Sequence, residues 1–388
     1  MIADTLVYEK TDQEVRLAAL DSGKMVEFDL YNENHAIEGN IYLGKIKKRI
    51  ELANGNSGFL IDIGDDELAF LNAFENGLKE INMNEGQSVV VQVSQEKRAE
   101  KGAKVVRNIQ IVGTTLVYRP FKVGVDVSSK IENAELAKEY KTAVWENVIG
   151  QEGWALRTAA VEFSIDEVLE EMVKLRNIYE NIRVKARNAN APSLLYIREN
   201  PLYEFIRRYK DTLKTVVVNN HHLFDELESI LGNDMAQYEV KPFEEYGLNE
   251  QIFDALNRTV SLKSGGNIHI EQTRACVTID VDTSNLKSGN NITKANDEAA
   301  FEIARQIRLK NLSGKIIIDF AGSSEYRFMK SVIDILQTKL ADDPSRARVL
   351  GLSKAGNIEI LRQRRRPSIL DIFTQECSAC QGTGRVEK

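Results

Sequence analysis

Residues 275–282, ACVTIDVD, and 315–320, KIIIDF, decide the fold. Each is a short apolar run with an aspartate near its end. Between them, 296–311 (NDEAAFEIARQIRLKN) places Ala300, Ile303, Ala304 and Ile307 at helical spacing. Strand, helix and strand in this order predict an α/β sheet with buried strands. If the two strands are neighbours, Asp280 and Asp319 emerge together at one sheet edge. Two such carboxylates suit a magnesium ion that keeps water and phosphate oxygens as its other ligands. Asp282, two residues beyond Asp280, faces the same side and could bind the ion or orient the first carboxylate. An ion so placed polarises a phosphodiester and acidifies attacking water. The plainer alternative is that acids mark strand ends where they simply meet solvent.

Working outward, NIHIEQ (267–272) reads as a preceding strand, with a following helix around 327–339 and a strand near 349–352. At the N-terminus TLVYE, EVRLAAL and KMVEFDL, divided by Thr11-Asp12 and Ser22-Gly23, read as an antiparallel meander too short to bury its own core. From Asn40, NIYLGKIKKRI, GFLIDIG, LAFLNAF and QSVVVQVSQ are broken at turn residues with the spacing of a five-stranded OB-class barrel. A capping box, Ser164 with Glu167, opens a helix carrying Val168, Met172, Leu175, Tyr179 and Ile182 that ends before Pro192. Residues 201–262 alternate helix-like pieces with the short apolar run Thr215–Val218.

The whole chain has 388 residues, 43% hydrophobic and 28% charged, with 6 prolines, which fits two to four folded units and argues against disorder. There is no apolar run of about 18 residues and no basic-then-apolar leader, so a cytoplasmic location with no membrane segment is expected. The three cysteines, Cys276, Cys377 and Cys380, are too few for an oxidised framework, and Cys276 is read as buried in a strand. A net charge of −7 gives no bulk support for nucleic-acid binding, so that role must rest on local patches.

Cys377-x-x-Cys380 offers two ligands at metal spacing, and a second copy of the chain would complete a four-sulfur zinc site. A redox pair or incidental thiols are the alternatives. Phe59 and Phe70 on adjacent barrel strands could stack bases, with Lys101 and Lys104 in the loop EKRAEKGAK, although strand phenylalanines are more often core. Arg362, Arg364, Arg365 and Arg366 could track phosphates or form a solvated face. The four histidines are scattered with no carboxylate at recognisable spacing, which disfavours histidine-based catalysis.

ACVTIDVDTSN with NDEAAFEIARQIRLKNLSGKIIIDF is similar, in order and spacing, to the acidic strand, linking helix and second acidic strand of the ribonuclease E and ribonuclease G family. The likeness runs from end to end: IEGNIYLGKIKKRI with GFLIDIG resembles the family's S1-type barrel, WALRTAA its 5′-end sensor, SGGNIHIEQT the start of its catalytic unit, and CSACQGTG its zinc link. The resemblance implies that Asp280 and Asp319 bind one catalytic Mg2+ per chain. Asp282 falls where the family often has asparagine, and an acid there adds negative charge. Arg157 and Thr158, with backbone around Val117, match the receptor of a terminal RNA monophosphate. Phe59, Phe70 and Lys101 match RNA contacts. From the basic run itself, the arginines near 362 to 366, Arg362 and Arg364 among them, are expected to steady the RNA backbone. Cys377 and Cys380 match ligands of a Zn2+ shared by two chains.

The implied fold is multidomain. An S1-type OB barrel (37–115) and a 5′-sensor region (116–199) are inserted in a ribonuclease-H-like unit (1–36 and 200–262), followed by a deoxyribonuclease-I-like α/β catalytic domain (263–370) and the zinc link (371–388). Family members usually continue into a small C-terminal domain that pairs dimers into tetramers, whereas this sequence stops at Lys388, so a homodimer is expected, with a tetramer possible. GVDVSSKIE has serines and Lys130 where relatives tend to place arginines, so weaker 5′-phosphate recognition is expected. The function implied is a magnesium-dependent endoribonuclease that cleaves single-stranded RNA to 5′-phosphate and 3′-hydroxyl ends. The alternative is a catalytically silent RNA-binding or ribosome-associated protein of the same fold.

Overall fold

In the strand Val277–Asp282 the residues alternate: Val277, Ile279 and Val281 are buried, while Thr278 and Asp280 face solvent. Such period-two burial marks a sheet covered on one face only. The computed structural model describes residues 1–12, 14–32, 35–52, 57–73, 83–97, 101–284, 286, 291–322, 326–375, 377–380 and 384. They fall into two compact units, Met1–Glu33 with Asn200–Lys388, and Asn34–Glu199.

The first unit holds two sheets. In one, the meander Thr5–Lys10, Val15–Asp21 and Lys24–Tyr31 is extended by Thr215–Val218, parallel to the first strand, and then by Ala236–Tyr238. Later helical segments supply the cover that the meander lacks: Val7, Ala18, Leu20 and Met25 pack with Phe243, Leu248, Ile252 and Leu309. The other sheet has the order Thr259–Ser261, Asn267–Gln272, Val277–Asp282, Gly314–Asp319, Ile358–Arg362, Arg348–Leu352. Only the central pair is parallel, because only it is joined by a crossover helix, Ile292–Leu309. That helix and Tyr326–Leu340 cover one face, packing Ile303, Ile307, Val332 and Leu336 onto Ile279, Ile316, Ile318 and Ile360. Burying each such side chain contributes roughly 1.5–3 kcal/mol relative to exposure. The expectation of doubly buried strands is therefore corrected: Lys315 and Asp319 are exposed and Ile317 is only half-buried. Thr259–Ser261, which the reading from sequence put in the preceding unit, pairs into this sheet.

The crossover helix is also tied to the meander. Arg308 donates to Glu27, which further accepts from Arg208 Nη1 at 2.6 Å and the Tyr209 hydroxyl at 2.7 Å. Burial alone would raise the Glu27 pKa, but the two guanidinium charges and the hydrogen bonds hold it far below the usual carboxylate range.

In the second unit, Ile41–Glu51, Ser57–Asp62, Ala69–Asn72, Lys104–Val106 and Ser88–Gln95 close into a five-stranded barrel, because the first strand pairs with both the second and the last of these. A Cβ at Gly44 would lie 2.4 Å from Ile61, so glycine permits the crossing. Lys104, read from sequence as a loop residue, begins a barrel strand. A small sheet, Gly124–Val127, Gly153–Leu156, Leu116–Arg119 and Ile111–Val112, packs Trp154 and Tyr118 against the helix Ile165–Asn188, whose capping box is Ser164 with Glu167. Ser193–Tyr196 then returns to pair with the first barrel strand. Among the described residues no helix is long and apolar enough to cross a membrane.

Candidate active site

Asp280 and Asp319 are register partners in the parallel strand pair, and both are exposed on the face that the helices leave open. Adjacent strands run about 4.8 Å apart. The row continues sideways through His269, opposite Asp280, to Thr259, whose hydroxyl lies 3.0 Å from His269 Nδ1. Sequence spacing shows no carboxylate partner for a histidine, but hairpin pairing supplies one by aligning His269 with Asp280. The same face carries Asp282, which accepts hydrogen bonds from the backbone N–H of Ser284 at 2.8 Å and from its hydroxyl at 3.0 Å. These bonds hold the Asp282 carboxyl below its ordinary pKa.

Among the described residues no lysine or arginine pairs with Asp280 or Asp319. Like charges directly opposite each other across strands are unfavourable unless something neutralises them. A divalent cation fits this donor set: two hard oxygen ligands side by side, with solvent on the remaining side. The supporting shell includes Asn296, which sequence reasoning missed. It is buried in the crossover helix and its Nδ2 donates to the Ala321 carbonyl at 2.8 Å, tethering the chain just past Asp319. A polar residue inside an apolar helical stripe was the available signal.

Phe59 and Phe70 do not share a face. Phe59 pairs with Leu71 and is 3% exposed in the barrel core, so it has no ring face left for a base and is withdrawn as an RNA contact. Phe70 pairs with Leu60 on the other face and is half-buried. A Cβ at Gly58 would lie 2.5 Å from the Phe70 ring, so the glycine lets the ring lie across the strand. Phe70 N–H donates to the Ala103 carbonyl at 2.7 Å, which brings the segment of exposed Lys101 beside it.

The arginine run separates in the same way. Arg362 ends a strand on its buried side, 3% exposed, and donates to both Asp343 oxygens at 2.9 Å and to Asn311 and the Leu312 carbonyl. It holds the fold and cannot also track a phosphate, which corrects its assignment as an RNA contact. Arg366 pairs with Asp29, and Arg365 donates to the Pro344 carbonyl at 3.0 Å. Arg364 is exposed, with Nε 3.4 Å from the Ser313 hydroxyl.

Around the sensor residues, Glu171 organises a turn by accepting from the N–H groups of Thr114, Thr115 and Leu116 at 2.6–2.9 Å. Arg157 donates to the carbonyls of Gly113 and Thr114 in that turn. Thr158 Oγ1 lies 2.9 Å from Ser128 Oγ, and Val117 pairs with Ala155 in the sheet beside them. At the C-terminal end Cys377 is exposed and Cys380 half-buried, and neither is in a disulfide. Backbone N–H groups of Cys380 and Ala379, with the Cys380 thiol, lower the Cys377 pKa. Two thiols at this spacing could supply two of the four ligands that a tetrahedral sulfur site needs. Cys276 is half-buried and lies in the turn before its strand, which corrects its reading as a buried strand residue. His221 stacks on Tyr238 at 4.1 Å.

Two adjacent carboxylates on an open sheet face are a donor set that a divalent cation could occupy, and a cation so held can activate water toward a phosphodiester. The Ribonuclease E/G family profile matches residues 110–365. Ribonuclease G of Escherichia coli strain K12 is 30% identical over 421 residues, an alignment that covers all of this chain and 85% of that protein. Ribonuclease G of Haemophilus influenzae is 29% identical with the same coverage, and Ribonuclease E of that organism is 29% identical over 98% of this chain and 44% of its own length. The chain belongs to the ribonuclease E/G family.

Proposed function

We propose that this protein cuts single-stranded RNA at the Asp280–Asp319 pair, with a magnesium ion, to leave 5′-phosphate and 3′-hydroxyl ends. By family it is an endoribonuclease of RNA processing. The observation that carries the site assignment is the register: two exposed carboxylates opposite each other on parallel strands, unneutralised by any cation among the described residues. Asp280 and Asp319 would hold the ion, Asp282 would steady Asp280, and Asn296 fixes the backbone beyond Asp319. A bound magnesium ion would supply polarisation of the phosphodiester and a more acidic water. Phe70 and Lys101 on the barrel, together with Arg364, would contact the RNA. Arg157, Thr158 and the backbone near Val117 would receive a 5′ phosphate, more weakly where Ser128 and Lys130 replace arginines.

The domain reading is part of the same proposal: a ribonuclease-H-like unit split by the barrel and sensor, then a deoxyribonuclease-I-like catalytic unit. Cys377 and Cys380 would hold a zinc ion with the same pair from a second chain, making a homodimer that could pair into a tetramer. Three cysteines, none of them in a disulfide, suit the cytoplasm.

The test is cleavage of fluorescent single-stranded RNA bearing a 5′ monophosphate or a 5′ hydroxyl, with magnesium and with chelator. Magnesium-dependent cutting of both is expected, with a modest preference for the monophosphate. Binding without cutting would overturn the enzyme reading. One zinc per two chains, lost on chelation together with dimerisation, would support the zinc link.

A further inference from the structure

A groove of about 300 Å³ in the Asn34–Glu199 unit combines three arginines with an exposed aromatic ring. Its described lining residues include no carboxylate, and none of Phe59, Phe70, Lys101, Arg157, Thr158 or Val117 is among them. We propose that this groove is a second binding site for single-stranded RNA, taking one unpaired nucleotide and its flanking phosphates outside the cleavage site. The proposal rests on the ribonuclease reading above.

One wall is a stripe on the helix Ile165–Asn188, where Tyr179, Arg183 and Arg187 follow each other at four-residue steps. At 1.5 Å rise per residue the steps lie about 6 Å apart along the axis, so the two guanidiniums can follow successive phosphates of an extended strand. Ile182, buried on the same helix, forms an apolar floor. Phe121 stands on the opposite side, 57% exposed. Its ring meets Tyr179 edge to face, at 6.2 Å and 88°, and Tyr179 is held in turn by Tyr118 at 5.7 Å. The contact fixes the Phe121 ring and leaves a face open for a base. Arg107 adds a third cation from the barrel side.

The volume is at the small end for ligand pockets and has no room for a duplex. Arginine fits the role because its planar head both pairs with phosphate and stacks on a base. Arg183 already bonds Glu180 at 2.7 and 3.0 Å, but both partners lie at the surface, where such pairs are weak and a phosphate can replace the carboxylate. Basic residues in a helix's last turn also favour its dipole. That effect accounts for Lys185 and Arg187 and leaves the exposed Phe121 ring unexplained.

The experiment compares a short RNA that spans one cleavage site with a longer unstructured RNA, on the full-length protein and on Phe121→Ala and Arg183→Gln/Arg187→Gln variants. Binding and cleavage are both measured across a salt series, with photocrosslinking from 4-thiouridine in the longer RNA. The longer RNA should bind the parent more tightly. Phe121→Ala should lose about tenfold of that affinity, and the arginine variant should lower the salt slope by about 0.7 per arginine removed. Cleavage of the short RNA should be unchanged in all variants, and crosslinks should map to Phe121 or Tyr179. Equal binding of the longer RNA by parent and variants, with cleavage intact, would overturn the groove and leave the nuclease standing. Adenosine monophosphate saturating the groove with no gain from RNA length would overturn the RNA assignment. If the parent cuts neither RNA, the nuclease reading falls, and crosslinks absent from Phe121 and Tyr179 would then sink the groove as well.

Discussion

Glu27 is buried and accepts hydrogen bonds from Arg208, Arg308 and Tyr209, whereas Asp280 and Asp319 stand exposed, side by side, with no cation paired to either among the described residues. Both sites gather acid on the same structural unit. In the first, the protein itself supplies every counter-charge, so the group is committed to holding the crossover helix against the meander. In the second the described residues supply none, and on the reading proposed above a bound cation would neutralise the pair. The largest expected effect follows. Asp280→Asn or Asp319→Asn should lower RNA cleavage by about three orders of magnitude, the scale reached when a group acting in the chemical step is lost. Melting temperature should hold or rise, because a like-charge contact is removed. Cleavage at the parental rate would show that the metal site is misassigned.

The converse substitution sharpens the contrast. Glu27→Gln leaves the buried Arg308 guanidinium without a full counter-charge and removes one of two carboxylates from the half-buried Arg208, and should cost about 3–5 kcal/mol of stability. Arg362→Gln should act similarly, because it strips the buried Asp343 of a two-pronged partner. In both variants the protein that remains folded should cut RNA at close to the parental rate, measured by denaturant melts beside single-turnover cleavage. Lost cleavage with unchanged stability would break the division between structural and chemical acids.

The open acid pair was legible from sequence because each aspartate closes a short apolar run and one helix of suitable length joins the runs. The side on which a residue falls was less legible. GFLIDIG and LAFLNAF are apolar on both faces, so only the observed register, Phe59 with Leu71 and Phe70 with Leu60, sends one ring inward and the other outward. Arg362 reads from sequence as the first of a basic run, yet it closes NIEILR, in which Ile358, Ile360 and Arg362 are all buried. The partner of His269 lies on the next strand of a hairpin, a pairing that sequence spacing does not display. The fifth barrel strand, Lys104–Val106, is only three residues long and follows a charged loop.

A pH titration probes a further internal acid. Burial would raise the Glu302 pKa, but hydrogen bonds and charge from Arg305, the Gln306 amide and Lys24 bring it down to about 2. Since its ordinary value is 4.5, its stabilising effect is fully present above that pH and is lost as pH falls towards 2. The Glu302 side chain is 13% exposed, and a shift of this size corresponds to about 3 kcal/mol. The stability gap between the parent and Glu302→Gln should therefore be widest above pH 5 and close on acidification. A gap that stays constant down to pH 2 would mean that these bonds do not persist in solution.

The smallest effect tests whether an outward side chain serves RNA alone. Phe70→Ala should weaken single-stranded RNA binding about tenfold, with little change in melting temperature. Phe59→Ala opens a cavity in the barrel core and should cost about 3–5 kcal/mol. The two rings are one register step apart on paired strands, so local chemistry is nearly constant and only the face differs. If Phe70→Ala destabilises the fold as Phe59→Ala does and leaves RNA affinity unchanged, the ring over Gly58 is packing, and the barrel's RNA contact must lie with Lys101. If affinity falls alone, the face a residue occupies decides whether it holds the fold or meets the substrate, as it does for Glu27 and the open acid pair.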